Sequence, residues 1–581
     1  MGDLMPPRNG PRIEDVLPLT ALQQGLVFHA AYDDQAPDVY HVQLAIELEG
    51  PLDAPALREA ARSLLARHGN LRVSIRQRPQ GDNVQVVQSH APLSWTHVEA
   101  ATLADADQAA HHDRSQRFDL AAAPLLRFTL IRLGAQHHRL LVTTHHLLLD
   151  GWSMPLVMAE LLTLYTHRGD AGVLPPATPY APYYHWLAGR DDQAAREAWR
   201  TALADLHQPT RLAPHTDTRT AVIPRHHTAR LPLELTESLT RQARRHGLTL
   251  STVVQTTWAL LLAHRTGQED IVFGTTVSGR PPEVPGMETM IGLFINTLPV
   301  RVRLQPSETL LDLMARLQRE QAELSPHQHL GIADIRRLTT VDGELFDTLT
   351  VFENYPLDPD SLTSVTDLRI SHLYTHNDAH YPLTLIVTPG DLLTLDFGYR
   401  PDLFTPDDIR RLAEGLTRLL RTFTQASPQL LTRDISLLTP QERHQAVEGW
   451  NDTARELPPV AVHELFEAQA RRSPEAIAVV FEDQEVTYAQ LDARADELAD
   501  SLRAFGIGPE GLVALALPRS VEMLASLLAV LKTGAAYLPI DPDYPADRIA
   551  HMLTDAAPAL VMATEATQHL AEAHGTPRLL L

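Results

Sequence analysis

Cysteine is absent from the 581-residue sequence. Without cysteine the chain can form no disulfide bond and offers neither a thiolate nucleophile nor a thiolate metal ligand. Any thioester chemistry must therefore use sulfur that another molecule supplies. A chain without disulfide bonds fits a reducing compartment, and we expect a cytoplasmic protein.

Basic residues are in the minority, and long apolar runs are missing. Lys and Arg number 49 against 72 Asp and Glu, a formal net charge of −23, which disfavours binding to the phosphates of nucleic acids. The longest apolar stretch, residues 523–540, is interrupted by Lys532. The first residues also lack the basic-then-apolar order of a signal peptide. We therefore expect neither a nucleic-acid partner nor a membrane partner.

The rest of the composition is that of an ordinary globular protein. Hydrophobic residues make up 44% and charged residues 21% of the chain, close to the averages of soluble domains. Short β-rich runs alternate with helical stretches, a pattern that predicts a mixed α/β fold in several packing units. We predict strands at residues 42–48, 125–132, 139–144, 270–277 and 345–353, and helices at residues 54–68, 191–207, 235–246, 251–264 and after Pro406.

Two segments divide the chain. Residues 1–11 are rich in Pro and Gly and show no periodicity, so we predict a leader. Residues 437–459 are polar and contain three prolines, which predicts an interdomain linker. Beyond the linker, helices and strands alternate as in a parallel sheet. The chain stops at residues 578–581 (RLLL), in the middle of an apolar run, which indicates a domain that is cut short. The helices predicted there lie at residues 488–505, at 520–532 and from 546, and the strands at 512–517, 536–540 and 560–563.

The strongest local motif follows the predicted strand at residues 139–144, where residues 145–153 read HHLLLDGWS. Side chains alternate between the two faces of a strand, so His145 and His146 should point in opposite directions, one into packing and one into a cavity. An imidazole at a strand end suits a general base, because its ordinary pKa of about 6.5 lies near neutrality.

The residues after the histidine pair predict a tight turn into a helix. Asp150 could hold the turn by pairing with an arginine, and Gly151 would permit a close backbone approach or a positive φ. Ser153 is predicted to be the N-cap of a helix at residues 154–165, with Pro155 in its first turn.

Other histidine pairs weaken this signal, since the chain has 29 histidines and repeats the pair at residues 111–112, 137–138 and 226–227. Of these pairs, the one at 145–146 is followed by Asp and Gly at this spacing. From the residues alone, His146 is either a catalytic base or a packed core histidine. We expect no metal site, because no second histidine or carboxylate cluster at ligand spacing accompanies the pair.

Residues 145–151 (HHLLLDG) resemble the HHxxxDG signature of the condensation domains of nonribosomal peptide synthetases. Further motifs of that family follow in the family's order, and the resemblance covers residues 12 to about 440. These motifs are LPLTALQQG at residues 17–25, RHGNLR at 67–72, YAPYYHW at 180–186, IGLFINT at 291–297 and, as a weaker match, HQH at 327–329.

The resemblance implies an α/β fold similar to chloramphenicol acetyltransferase, a two-lobed pseudodimer with a central tunnel. We expect an N-lobe at residues 12–180, a C-lobe at 181–440 and a linker at 441–460. In this family an upstream donor and a downstream acceptor peptidyl carrier protein bring their substrates on phosphopantetheine arms. The amine of the aminoacyl thioester attacks the peptidyl thioester and forms an amide. The chain itself is expected to bind no cofactor, because the carriers supply the phosphopantetheine.

The resemblance also assigns roles to residues. His146 is the expected catalytic residue, and it could take a proton from the α-ammonium group, position the amine or stabilise the tetrahedral intermediate. His145 and Asp150 are expected to be structural, and Arg280, in the sequence SGRP, matches the arginine that the family pairs with this aspartate. Gly151 could turn its backbone N–H toward the developing oxyanion. The residues expected in the tunnel or at the lobe interface are Trp152, Ser153, Asn296 and Thr297.

Three segments, residues 22–29, 146–153 and 346–356, resemble the subgroup that joins a donor ending in a D-residue to an L-acceptor. Heterocyclisation domains carry an aspartate version of the motif, dual epimerisation and condensation domains carry an additional N-terminal HH motif, and stand-alone epimerisation domains lack the opening motif and the downstream unit. All three are disfavoured.

Two other functions compete with peptide-bond formation. One is a catalytically silent condensation-like platform that docks carrier proteins or a tailoring enzyme, and the intact His146 and Asp150 argue against it. The other is an acyltransferase of the same fold that uses free coenzyme A, and the downstream unit argues for carrier-bound substrates instead.

Residues 461–581 resemble the N-terminal portion of an adenylation domain, with VTYAQL at residues 486–491 and LKTGAAYLPID at 531–541. The phosphate loop and the catalytic aspartate and lysine of that family would lie beyond Leu581, so we expect no adenylation activity. A GxGxxG sequence at residues 506–511 is predicted to lie between a helix and a strand. A dinucleotide-binding fingerprint has the opposite order, so we assign it no nucleotide site.

Overall fold

A computed structural model describes residues 12–32, 38–213, 222–354, 364–365, 368–457, 459–572 and 575–581. The predicted leader at residues 1–11 and the end of the third subgroup segment, residues 355–356, lie outside the described residues. The chain divides into two compact units, residues 1–443 and 444–581.

The first unit begins with a mixed region of helices and strands. Its predicted strands at residues 42–48, 125–132 and 139–144 are confirmed, each within two residues at either end. The elements are β1 (Ile13–Pro18), α1 (Ala21–Tyr32), β2 (His41–Glu49), α2 (Ala54–Arg67), β3 (Val73–Gln77), β4 (Asn83–Gln88), β5 (Trp95–Glu99), α3 (Leu103–Ser115), β6 (Leu126–Arg132), β7 (His137–His145) and α4 (Ser153–Thr166).

The second half of this unit repeats the mixture. The predicted strand at residues 270–277 is confirmed at both ends, and the helix predicted after Pro406 is present. The elements are α5 (Ala181–Ala188), α6 (Asp192–Ala202), β8 (Arg225–Arg230), α7 (Leu233–Arg245), α8 (Leu250–Thr266), β9 (Asp270–Val277), β10 (Asn296–Arg303), α9 (Leu310–Leu324), α10 (Ile332–Arg336), β11 (Thr348–Phe352), β12 (Ser364–Val365), β13 (Leu368–His376), β14 (Leu383–Thr388), β15 (Thr394–Tyr399) and α11 (Pro406–Gln425).

Two six-stranded sheets organise the first unit. One has the strand order β10-β9-β11-β14-β15-β8, and the other has the order β12-β13-β2-β7-β6-β5. A third, three-stranded sheet has the order β1-β4-β3. Strand β13 belongs to the second half in sequence but pairs antiparallel with β2 of the first half. The C-terminal half thus completes the sheet of the N-terminal half, a crossover that the sequence analysis did not predict.

The sheets are covered by amphipathic helices. In α2, Asp53 accepts the Ala56 N–H at the N-cap, and the apolar residues Leu57, Ala61 and Leu64 recur on one face at helical spacing and are buried. They join the core that includes Leu44, Ile46, Val142 and Leu161. Helix α8 is buried around most of its surface because it lies inside the core of the second half.

The second unit contains a four-stranded sheet of order β19-β18-β20-β21, in which all neighbours are parallel. The predicted parallel sheet is confirmed. The GxGxxG sequence lies between α14 and β18, also as predicted. Ahead of the unit, part of the predicted linker forms the short helix α12. The elements are α12 (Pro440–Val447), α13 (Val462–Arg472), β16 (Ile477–Phe481), β17 (Gln484–Thr487), α14 (Tyr488–Ala504), β18 (Leu512–Ala516), α15 (Val521–Lys532), β19 (Ala536–Pro539), α16 (Ala546–Ala556), β20 (Leu560–Ala563), α17 (His569–Glu572) and β21 (Arg578–Leu580).

None of the helices in the described part of the chain combines the length and the apolar character that a membrane span requires.

Candidate functional site

The histidine motif stands at the end of β7, a central strand between β2 and β6. The pairing of β7 with β2 sets His145 opposite His41. The side chain of His145 is fully buried, whereas His146, the first residue after the strand, is partly buried. The strand therefore ends inside the protein and delivers His146 into the turn that follows.

Two side-chain amides hydrogen-bond to the backbone of this turn. Gln23 Nε2 donates to the Leu147 carbonyl at 2.9 Å, and Asn70 Nδ2 donates to the Leu148 carbonyl at 2.8 Å. Gln23 belongs to the motif LPLTALQQG and Asn70 to the motif RHGNLR. The two upstream motifs therefore hydrogen-bond directly to the histidine motif. They supply the donors that its buried backbone carbonyls need.

Asp150 ends the turn in a buried ion pair. Its two oxygens lie 3.0 and 3.2 Å from Nη2 of Arg280, so the pair that the resemblance implied is present. The same carboxylate accepts the N–H groups of Ser153 at 2.8 Å and Phe294 at 3.1 Å. A buried carboxylate with this many donors is rigidly held.

Arg280 links Asp150 to the second half of the unit. Its Nη1 donates to the carbonyls of Met287 at 2.7 Å and Met290 at 3.0 Å. Gly279, just before it, has a φ of 59°, and a Cβ atom there would overlap the carbonyl oxygen of Phe294. Position 279 therefore requires glycine, so that Arg280 can lie this close to Asp150.

The prediction that Ser153 is an N-cap was wrong. Helix α4 begins at Ser153 itself, and Trp152 occupies the N-cap position without a side-chain bond. Asp150 takes the Ser153 N–H instead, which leaves the Ser153 hydroxyl free to donate to the Gly292 carbonyl at 2.8 Å and to accept from Arg280. Ser153 therefore joins the two halves of the unit.

The other predicted residues separate into two groups. Trp152 Nε1 donates to the Glu288 carbonyl at 3.0 Å, so Trp152, like Ser153, contacts the second half. Asn296 donates to the carbonyls of residues 328 and 330, and its Oδ1 accepts the Thr297 N–H, all within the second half. Gly151 lies in the turn before α4. The positive φ in this region belongs to Gly279 and not to Gly151.

The environment of His146 favours its neutral form. Burial lowers the pKa of the imidazole below its usual value, while neighbouring backbone groups and the Asp150 carboxylate oppose the shift only in part. An imidazole that is neutral at pH 7 can accept a proton. Within the described residues, no group of three or more His, Asp or Glu side chains could hold a metal ion.

Sequence analysis missed two residues beside the motif. The Tyr40 carbonyl accepts the His146 N–H at 2.8 Å, and Tyr40 Oη lies 2.6 Å from Nδ1 of His380 in the second half. Asp38, whose side chain is 3% exposed, lies 3.3 Å from His145. Pairing the predicted strand at residues 42–48 with the one at 139–144 would have brought both residues to the motif.

Residues 13–447 match the family model of the condensation domain. The chain belongs to the condensation-domain family. After this domain, residues 466–580 match the family model of the AMP-binding enzymes. The two family matches follow one another in the same order as the condensation and adenylation motifs of the sequence.

Curated relatives of this condensation domain belong to peptide antibiotic synthetases. One of the linear gramicidin synthase proteins of Brevibacillus parabrevis is 37% identical over 96% of this chain, and bacitracin synthase 3 of Bacillus licheniformis is 33% identical over 95%. The chain spans only 7% and 9% of their respective lengths.

Solved structures confirm the two-lobed condensation fold with an adenylation-type subdomain. A crystal structure of the nonribosomal peptide synthetase FmoA3 has a TM-score of 0.79 at 23% identity and covers 100% of this chain and 61% of its own. The first condensation domain of the calcium-dependent antibiotic synthetase has a TM-score of 0.61 at 21% identity, covering 74% of this chain and 100% of its own.

Proposed function

We propose that the condensation domain forms peptide bonds between two carrier-bound substrates. The amine nitrogen of an acceptor aminoacyl thioester attacks the carbonyl carbon of a donor peptidyl thioester. A C–N bond forms, the donor C–S bond breaks, and the proton lost by the amine ends on the departing thiolate. Because the chain has no cysteine, both sulfur atoms belong to the phosphopantetheine arms of the donor and acceptor carrier proteins.

The observation that carries this proposal is the position of His146, a partly buried imidazole whose pKa is lowered by burial, on a turn held by its neighbours. Gln23 and Asn70 donate to backbone carbonyls of the turn, and Asp150 accepts a backbone N–H at its end. These hydrogen bonds pre-organise the imidazole before substrate arrives. His146 takes the proton of the attacking amine and passes it toward the leaving sulfur. A free α-amino group has a pKa of about 7.7 to 8.0, so an appreciable fraction of the acceptor is already the neutral amine near neutral pH. His146 then acts on the proton that the nitrogen gives up as the C–N bond forms.

The test is amide formation between a donor loaded on the upstream carrier and an aminoacyl acceptor carrier. We expect product from the wild-type chain and a loss of rate on the order of a hundredfold or more for His146→Ala, as for removal of a general base. His111→Ala removes an exposed histidine from another histidine pair and should keep the wild-type rate. Absence of product with every cognate pair, despite carrier binding, would instead support the silent docking platform.

We further infer that the donor ends in a D-residue, on the strength of the motif forms at residues 22–29 and 146–153. Donors that differ only in the chirality of the terminal residue should then react at different rates, the D-form faster. Equal rates, or a faster L-form, would contradict the assignment without affecting the role of His146.

A further inference from the structure

Asp38 is a buried carboxylate beside the histidine motif. It stands just before β2, and the pairing of β2 with β7 brings it to the end of β7. Its Oδ2 lies 3.3 Å from Nε2 of His145 and 3.5 Å from Nε2 of His41. Its Oδ1 accepts the Tyr40 N–H at 3.0 Å. Oδ1 of Asp38 thus accepts a hydrogen bond, and Oδ2 lies within ion-pair distance of two imidazole rings.

The hydrogen bonds of His145 determine its tautomer. The Leu147 N–H donates to Nδ1 at 3.1 Å, so Nδ1 is an unprotonated acceptor and the neutral ring carries its proton on Nε2. Nε2 lies 3.3 Å from Oδ2 of Asp38, so its proton faces a carboxylate. Burial raises the pKa of Asp38, but the neighbouring imidazoles of His145 and His41 and the Tyr40 N–H outweigh it and hold the pKa well below its usual value.

Two hydrogen bonds hold the backbone at His146. Its own N–H donates to the Tyr40 carbonyl, and the next N–H, that of Leu147, donates to His145. We propose that Asp38 is a positioning residue for His146. It keeps the proton of His145 on Nε2, so that Nδ1 can hold the Leu147 N–H and fix the turn that carries the catalytic imidazole. The proposal rests on the proposed function in one respect, the catalytic role of His146.

The substitution Asp38→Asn separates this role from packing, because asparagine has the same shape. Its amide oxygen can still accept the Tyr40 N–H, but its NH2 group then faces Nε2 of His145. Two donors cannot pair, so the His145 proton moves to Nδ1, where it opposes the Leu147 N–H. The turn loses a hydrogen bond although the volume of the core is unchanged.

We expect Asp38→Asn to lower kcat about tenfold to a hundredfold, taking as the scale the range for removing the outer hydrogen-bond partner of a metal-bound histidine. The KM for the acceptor carrier should stay the same, since Asp38 is buried. Asp113→Asn is the matched control. Asp113 is also a buried carboxylate, bonded to Thr143 and Arg127 and remote in its contacts from the turn, and its variant should keep the wild-type kcat per folded molecule.

A double variant tests whether Asp38 acts through His145. In His145→Asn the side-chain oxygen can replace Nδ1 as the acceptor for Leu147 while contact with Asp38 is lost. Adding Asp38→Asn to this background should lower kcat no further. An unchanged kcat in Asp38→Asn alone, or a second full loss in the double variant, would overturn the proposal.

The tautomer gives a readout that does not depend on turnover. In 15N-histidine-labelled protein, the His145 resonances, identified by their absence from His145→Asn, should report protonation at Nε2 in wild type and at Nδ1 in Asp38→Asn. A folded Asp38→Asn that keeps the wild-type tautomer refutes the proposal even if its kcat falls. If wild type itself forms no amide, the proposed function fails while the tautomer measurement still decides the role of Asp38 in the turn.

Discussion

Asp150 and Arg280 form an ion pair almost without solvent, with side chains 0% and 6% exposed. Removing water from two charges is costly, and such a pair is tolerated when the other donors and acceptors around it are satisfied. Here the aspartate also accepts two backbone N–H groups, and the arginine donates to two carbonyls. Breaking the pair from one side would leave a buried charge without its partner.

We therefore expect Arg280→Ala to lower the free energy of unfolding of the first unit by about 3 to 5 kcal/mol, the range for uncompensated buried charges. Denaturant unfolding followed by far-UV circular dichroism measures it. Arg62→Ala, which breaks an exposed pair with Glu59, should unfold like wild type. Equal effects of the two substitutions would show that burial does not determine the value of the Asp150–Arg280 pair.

At the residue scale, the sequence predicted the histidine motif and, through the family resemblance, the partner of Asp150. It did not predict how Ser153 is used, because N-cap statistics describe a helix start in isolation, while here Asp150 already takes the Ser153 N–H. Asp38 left no local signal either. It is separated from His145 by more than a hundred residues, and only the pairing of two strands brings them together.

The loop between β13 and β14, residues 377–382, is one of the segments that pass from one six-stranded sheet to the other. It is tied at two points. His380 meets Tyr40 Oη at 2.6 Å, and Asp378 lies 3.0 Å from Nε2 of His226 on the edge strand β8. The other nitrogen of His226 lies 2.6 Å from Asp396. Two carboxylates therefore share one imidazolium at this loop.

These hydrogen bonds to Asp378 and Asp396 raise the pKa of His226 to about 10, although burial opposes the shift. A group whose pKa is raised on folding stabilises the fold fully below its unfolded pKa, about 6.5, and loses that contribution as pH rises toward its folded pKa. Wild type should therefore lose stability between pH 6.5 and 10 more steeply than His226→Asn. Denaturant midpoints across this range test it, with His111→Asn as an exposed control. Parallel curves for wild type and His226→Asn would contradict the expectation.

At the element scale, long periodic segments were predicted well, and contacts between distant segments were not. Strand β9 and helix α14 fall within one residue of their predicted ends, because apolar spacing and flanking turn residues are local signals. The pairing of β13 with β2 is set by the tertiary structure, because β2 needs a hydrogen-bonded neighbour on its free side. The short helix α12 within the predicted linker was also missed, since its eight residues bury no side chain and show little periodicity.

At the scale of the whole molecule, the hydrophobic clusters respect the division into two units. The two largest clusters draw their buried residues from the first unit, one around each six-stranded sheet. The clusters around the parallel sheet draw theirs from the second unit, with Leu502 and Val513 among the fully buried residues. A unit with its own core has its own source of cooperative stability.

Thermal unfolding of the full chain should accordingly show two transitions, and one substitution in each unit should identify them. Arg280→Ala lowers the midpoint of the first unit. Leu502→Ala removes a side chain that is 0% exposed and should destabilise the second unit by about 2 to 5 kcal/mol, because the cavity it leaves cannot fully collapse. Differential scanning calorimetry would then show one midpoint moving in each variant while the other stays in place. If both midpoints move together in either variant, the two units unfold as one cooperative system although their hydrophobic cores are separate.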